Sequence, residues 1–102
     1  MKKFDTPWSV GCLFICDKCG VSFKQEKMAE KLKQDLRLHL KEQDDHKKIR
    51  VMITGCLNVC SKDEQTVMYQ PNSGKGEIFT IGDDFKSNLS ELKQILEFKL
   101  KE

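Results

Sequence analysis

Residues 48–60 read KIRVMITGCLNVC, and their reading decides the fold. Ile49, Val51 and Ile53 fall on one side of a period-two pattern, which predicts a strand with one buried face. The strand stops at Gly55, and Cys56 and Cys60 occupy the loop beyond it. The same arrangement stands upstream in VGCLFICDKCG (10–20). There a continuously apolar run, suited to a strand buried on both faces, leads straight into Cys16 and Cys19.

Between the two strands, residues 22–42 predict an amphipathic helix. Met28, Ala29, Leu32, Leu36 and Leu40 make the apolar stripe, and Lys and Glu fill the other side. Ser22 with Gln25 supplies a capping box, and His39 reads as a boundary side chain rather than a ligand. A strand–helix–strand of this length implies parallel strands joined by a right-handed crossover. Downstream, TVMYQ (66–70) and EIFTI (77–81) flank PNSGKG (71–76), the composition of a hairpin turn. Asp83 and Asp84 read as the turn before a closing helix, not as a catalytic pair. That helix is expected in SNLSELKQILEFKLKE (87–102), with Asn88 and Glu91 as a capping box and Leu89, Leu92, Ile95, Leu96 and Leu100 buried. The expected fold class is therefore α/β. The order β-α-β followed by β-β-α gives a four-stranded mixed sheet covered by helices in two or three layers, thioredoxin-like in its sequence of elements. Residues 1–9 read as an N-terminal arm and 10–102 as one domain.

Composition narrows the function. With 38% hydrophobic and 33% charged residues the chain has the balance of a globular domain. The net charge of +2 comes from 18 basic and 16 acidic residues closely interspersed, and Arg37 and Arg50 are the only arginines. That is not the basic stripe with reading aromatics of a nucleic-acid domain. The run VGCLFIC is seven residues long and ends at Asp17 and Lys18, so neither a secretory leader nor a membrane span is expected. The expected location is cytoplasmic, where thiols stay reduced. Five cysteines in such a compartment point to metal or redox chemistry rather than a disulfide framework.

If the first two strands are parallel neighbours, Cys16, Cys19, Cys56 and Cys60 leave the same edge of the sheet, where crevices of open α/β sheets form. Four thiolates in one small volume repel one another, and a cation must neutralise them. A tetrahedral zinc ion and an iron–sulfur cluster both accept four cysteines, and the C-x2-C and C-x3-C gaps suit both. A strand, then CDKC, then a helix is also the layout of a thiol–disulfide oxidoreductase. In that mechanism GCLNVC would have no purpose, and neither Pro7 nor Pro71 precedes a suitable strand. Cys12 lies four residues before Cys16 on the same strand face, a small buried hydrophobe that becomes a spare ligand only if the strand bends.

LFICDKCG, the helix after it, VMITGCLNVCSKDEQTVMYQP and EIFTIGDDFKSNLSEL together resemble the thioredoxin-like 2Fe–2S ferredoxins. These include small stand-alone ferredoxins and the peripheral 2Fe–2S subunit of respiratory NADH dehydrogenase. The resemblance runs over about residues 11–100. Its most specific part is the strand–Gly–Cys-x3-Cys segment followed by a strand ending in Tyr-x-Pro. The first cysteine pair is closer here than is usual in the family. What the resemblance implies is a 2Fe–2S cluster on Cys16, Cys19, Cys56 and Cys60, with one close pair to each iron. The chain would then be a one-electron carrier or redox sensor, not an enzyme. It would meet a redox partner protein over Leu57 and Val59, and family members also form homodimers. Backbone N–H groups after Gly20 and Gly55 would donate to the sulfurs, and Lys18 and Lys62 would favour the reduced state. Asn58 would either donate to a sulfur or simply make the turn. A structural zinc site in an interaction module is the alternative.

Overall fold

The computed structural model describes residues 1–19, 23, 26–59 and 63–102. Along the chain run β1 (Gly11–Cys16), α1 (Met28–Glu42), β2 (Ile49–Thr54), β3 (Gln65–Pro71), β4 (Glu77–Ile81) and α2 (Phe85–Lys101). The strands form one sheet in the order β2-β1-β3-β4. β1 pairs parallel with β2 and antiparallel with β3, and β3 pairs antiparallel with β4. The expected α/β class with a four-stranded mixed sheet is what the chain adopts.

The two faces of the sheet differ. The helix side chains Met28, Leu32, Leu36, Leu40, Leu92 and Leu96 share one core with Leu13, Ile15, Ile49, Val51, Val67, Tyr69 and Ile81. Every one of those strand residues is odd-numbered, so a single face carries the core. α1 and α2 also pack against each other, which puts both helices on that face and makes two layers. The even-numbered face has Cys12 and Cys16 buried at its centre and Thr66 buried on β3. The Thr66 hydroxyl donates to the carbonyl of Val59 at 2.7 Å, so the loop after β2 folds over this second face.

Two helix starts differ from expectation. α1 begins at Met28, because Lys27 takes a left-handed conformation (φ 55°) that a helix interior cannot hold, and no side chain caps it. The expected cap at Ser22 and Gln25 lies outside the described residues. α2 begins before the expected Asn88–Glu91 box. Asp84 is its cap, with Oδ2 accepting from the Ser87 N–H at 2.9 Å. Asn88 lies one turn inside the helix, fully buried, where its Nδ2 donates to the Gly82 carbonyl at 2.8 Å.

Gly11 is required by a close approach. A Cβ there would collide with the Tyr69 hydroxyl and come within 2.7 Å of its ring and 2.8 Å of the Gln70 carbonyl. Tyr69 is itself buried, with the Lys99 ammonium 5.1 Å from the ring centre. Gly11→Ala is expected to destabilise the fold by about 1–3 kcal/mol through overpacking. Urea unfolding checks it, and an unchanged midpoint would refute the close approach.

Candidate metal centre

The sheet positions the cysteines from the strand ends outward. Cys16 is the last residue of β1 and lies opposite Thr54, the last of β2. The Asp17 N–H donates to the Thr54 carbonyl at 3.0 Å, so the parallel ladder runs one residue past β1. The loop bearing Cys19 and the loop bearing Cys56 therefore leave the sheet side by side. Cys16 is buried, Cys19 half-buried and Cys56 exposed. Cys60, the fourth expected ligand, lies outside the described residues.

Both loops turn a backbone amide onto the first sulfur of their pair. The Lys18 and Cys19 amides lie close enough to the Cys16 sulfur to favour its thiolate, and the Cys19 thiol lies beside it. On the second loop the Asn58 N–H donates to the Cys56 sulfur at 3.3 Å. Asn58 has a positive φ of 61°, a conformation asparagine tolerates better than most residues. It thus makes the turn and delivers its backbone donor in one step. In each loop the donor lies two residues after the sulfur, although the gaps between cysteines differ. Such donors stabilise a thiolate over a thiol.

Burial nevertheless pushes the Cys16 thiol above its ordinary pKa, against the pull of those amides. A metal held there would have to displace that proton. The structure joins Cys16 to Cys19 and holds Cys56 on the adjacent loop. Among the described residues, no three His, Cys, Asp or Glu side chains converge as a ligand group.

Cys12 has no such surroundings. It is 2% exposed. Burial pushes its thiol up to about 11, with Arg50 and Arg37 only partly offsetting this. In metal-free protein at pH 8, only ~10⁻³ of Cys12 would be thiolate. Timed alkylation followed by mass spectrometry is expected to modify exposed Cys56 early and Cys12 last. Early labelling of Cys12 would contradict its placement.

The remaining expected residues sort simply. Lys18 and Val59 are exposed, Leu57 is half-buried, and Lys62 and Gly20 lie outside the described residues. Asp83 is exposed beside the capping Asp84, and His39 is half-buried along α1. One residue was missed from sequence. Gln65 is fully buried, and its Nε2 donates to the Cys16 carbonyl at 2.7 Å and to the Thr66 carbonyl at 3.0 Å. It pins the strand end from which the first loop springs. Its parity with Val67 and Tyr69 was the available signal, since that places a polar side chain on the core face.

The helix that follows the first pair begins at Met28, nine positions beyond Cys19. A helix terminus acts on groups within about one turn, and Cys16 is not part of the first turn of this helix. No family model, no characterised protein and no solved structure matches the chain.

Proposed function

We propose that the chain is a one-electron carrier or redox sensor holding a 2Fe–2S cluster on Cys16, Cys19, Cys56 and Cys60. The observation that carries this reading is the pair of amide-lined sulfurs at the ends of neighbouring parallel strands. The Lys18 and Cys19 amides face the Cys16 sulfur, and Asn58 donates to the Cys56 sulfur. Donors of this kind serve anionic sulfur ligands, whose charge a bound metal group shares. The element order, the one expected of a thioredoxin-like ferredoxin, supports the same reading.

When bound, the cluster would supply a site that gains and loses one electron at the sheet edge. The chain would do the rest. The amides of Lys18, Cys19 and Asn58 would stabilise negative charge on sulfur, and the exposed Lys18 ammonium would favour the more negative reduced state. Gln65 would keep the end of β1 from shifting as that charge changes. Val59, 41% exposed on the second loop, with Leu57 beside it, offers apolar surface for a redox partner protein in the cytoplasm. Nothing in this scheme requires the chain to be an enzyme.

Low-temperature electron paramagnetic resonance tests the reading. Anaerobic protein reduced with dithionite is expected to give a signal of one unpaired electron per chain. Protein with zinc, no iron and no signal would replace this reading with the structural zinc module. A Cys16–Cys19 disulfide exchanging with substrate thiols would replace it with an oxidoreductase.

A further inference from the structure

The chain's only two arginines, Arg37 and Arg50, line the same cavity. Arg37 and Lys41 stand one turn apart on α1, so their side chains share one side of the helix. Arg50 is the second residue of β2, an edge strand of the sheet. His46 comes from the turn that joins α1 to β2. That turn is held by its own backbone. The Asp45 N–H donates to the Leu40 carbonyl at 2.7 Å, and the Lys48 N–H donates to the Asp45 carbonyl at 3.0 Å. The cavity that Arg37, Lys41, His46 and Arg50 line measures about 170 Å³, and buried Leu40 and Ile49 complete its wall. Among the described residues, no carboxylate lines it.

The charge there is uncompensated. None of the four basic side chains makes an ion pair among the described residues, and Asp45, in the same turn, is taken by Lys48 at 3.2 Å. Burial first and the Arg50 charge second lower the Arg37 pKa, so the two guanidiniums feel each other. A cation at a helix C-terminus offsets the dipole, which accounts for Lys41. It does not account for Arg50, which belongs to a strand. Nor is Arg37 a loose surface side chain. Its Nε donates to the Val51 carbonyl at 2.8 Å, which fixes the guanidinium plane and leaves its terminal nitrogens for a ligand. A fork held in this way binds an oxyanion with little further ordering cost.

We propose that this cavity, at the corner between α1 and β2, binds the phosphate group of a small phosphomonoester. Size limits the ligand. The cavity is smaller than the ~300–1,000 Å³ of a drug-sized site, so it takes a phosphate with a few carbons rather than a nucleotide. Charge selects within that limit, because two guanidiniums and an ammonium favour a dianion. A phosphomonoester concentrates about two negative charges on one centre at neutral pH. Leu40 and Ile49 offer its carbon chain an apolar wall that inorganic phosphate cannot use. The basic residues make one pocket and not a stripe, which suits a small ligand and not a nucleic-acid backbone. The site stands independently of the metal. Arg50 and Thr54, at the cysteine end of β2, lie ~13 Å apart along the strand.

An NMR titration of the full chain with glycerol phosphate, at constant ionic strength, is the test. Saturable shifts are expected at the amides of Lys41, His46, Ile49 and Arg50, with a dissociation constant of about a millimolar or tighter. Arg37→Lys and Arg50→Lys keep the charge but lose the fork, and each should weaken binding about tenfold. Arg50 is exposed, so its variant tests the site even if Arg37→Lys loosens β2. Lys86→Gln, at the exposed start of α2, removes a charge elsewhere and should leave binding unchanged. Shifts that do not saturate would overturn the proposal, as would equal weakening by Lys86→Gln and Arg50→Lys. Inorganic phosphate binding as tightly as the ester would overturn the choice of an ester. Succinate binding as tightly would overturn the choice of phosphate.

Discussion

Cys16→Ser is expected to reduce bound iron to background and to abolish visible absorbance. The residue lies at the end of β1, buried, with the Lys18 and Cys19 amides directed at its sulfur. A serine oxygen is shorter and harder, and its hydroxyl holds its proton far more tightly than a thiol, so it cannot replace the thiolate there. Removing one of the four ligands would also leave the cluster without a complete set of thiolates to hold it. Cys19→Ser, Cys56→Ser and Cys60→Ser are expected to behave alike. Cys12→Ser is the control, because Cys12 faces no amide cradle and is expected to keep a full complement of iron. Iron and sulfide assays on all five variants, with circular dichroism to confirm folding, check the prediction. Full iron in Cys16→Ser would remove it from the ligand set.

The second large effect is alkaline lability. Besides Cys16, three buried or semi-buried groups hold their protons more tightly when folded than when unfolded. Cys12 is pushed from 9.0 up to about 11, chiefly by burial. Tyr69 is pushed up by burial, which outweighs the nearby Lys99 charge. Lys99 is raised chiefly by its hydrogen bond to Glu77. In each case the unfolded state loses its proton first as pH rises, so stability falls with pH. For Cys12 the contribution is fully present below pH 9 and is lost between there and about 11. Two pH units at ~1.36 kcal/mol each correspond to about 3 kcal/mol. The Tyr69 and Lys99 contributions are lost above their unfolded values of 10.0 and 10.5. Cys12→Val isolates the thiol. Urea unfolding of both proteins at pH 8 and pH 11 should show the variant losing about 2 kcal/mol less, since Cys12 is half ionised in the fold at pH 11. Equal losses would mean that Cys12 ionises normally in the fold.

The sheet and its cysteine-bearing edge were legible because they rest on local patterns. Alternation of Ile49, Val51 and Ile53, and the unbroken run at 10–16, each identify a strand without reference to the rest of the chain. The number of layers was not legible. Periodicity says which residues are buried, but nothing local tells α1 and α2 to take the same face. The start of α2 was misplaced because Asn88 with Glu91 satisfies the capping pattern, and so does an aspartate one turn earlier. The decision belongs to tertiary structure, where Asn88 is consumed by the Gly82 carbonyl and leaves Asp84 to cap. At the site, the spacing after each strand located the cysteines. The amides that meet their sulfurs depend on loop conformation, above all on the positive φ of Asn58, which residue type permits but does not dictate. Gln65 was hidden by its polarity, since a buried glutamine is identified only by the carbonyl it serves.

The central claim is that these cysteines hold two irons and two sulfides, and metal analysis of the untreated protein tests it most directly. Chain purified without oxygen should be reddish-brown, carry two irons and two acid-labile sulfides per chain with negligible zinc, and bleach with dithionite. Colourless protein with one zinc per chain, unchanged after iron-replete expression and anaerobic cluster reconstitution, would contradict it.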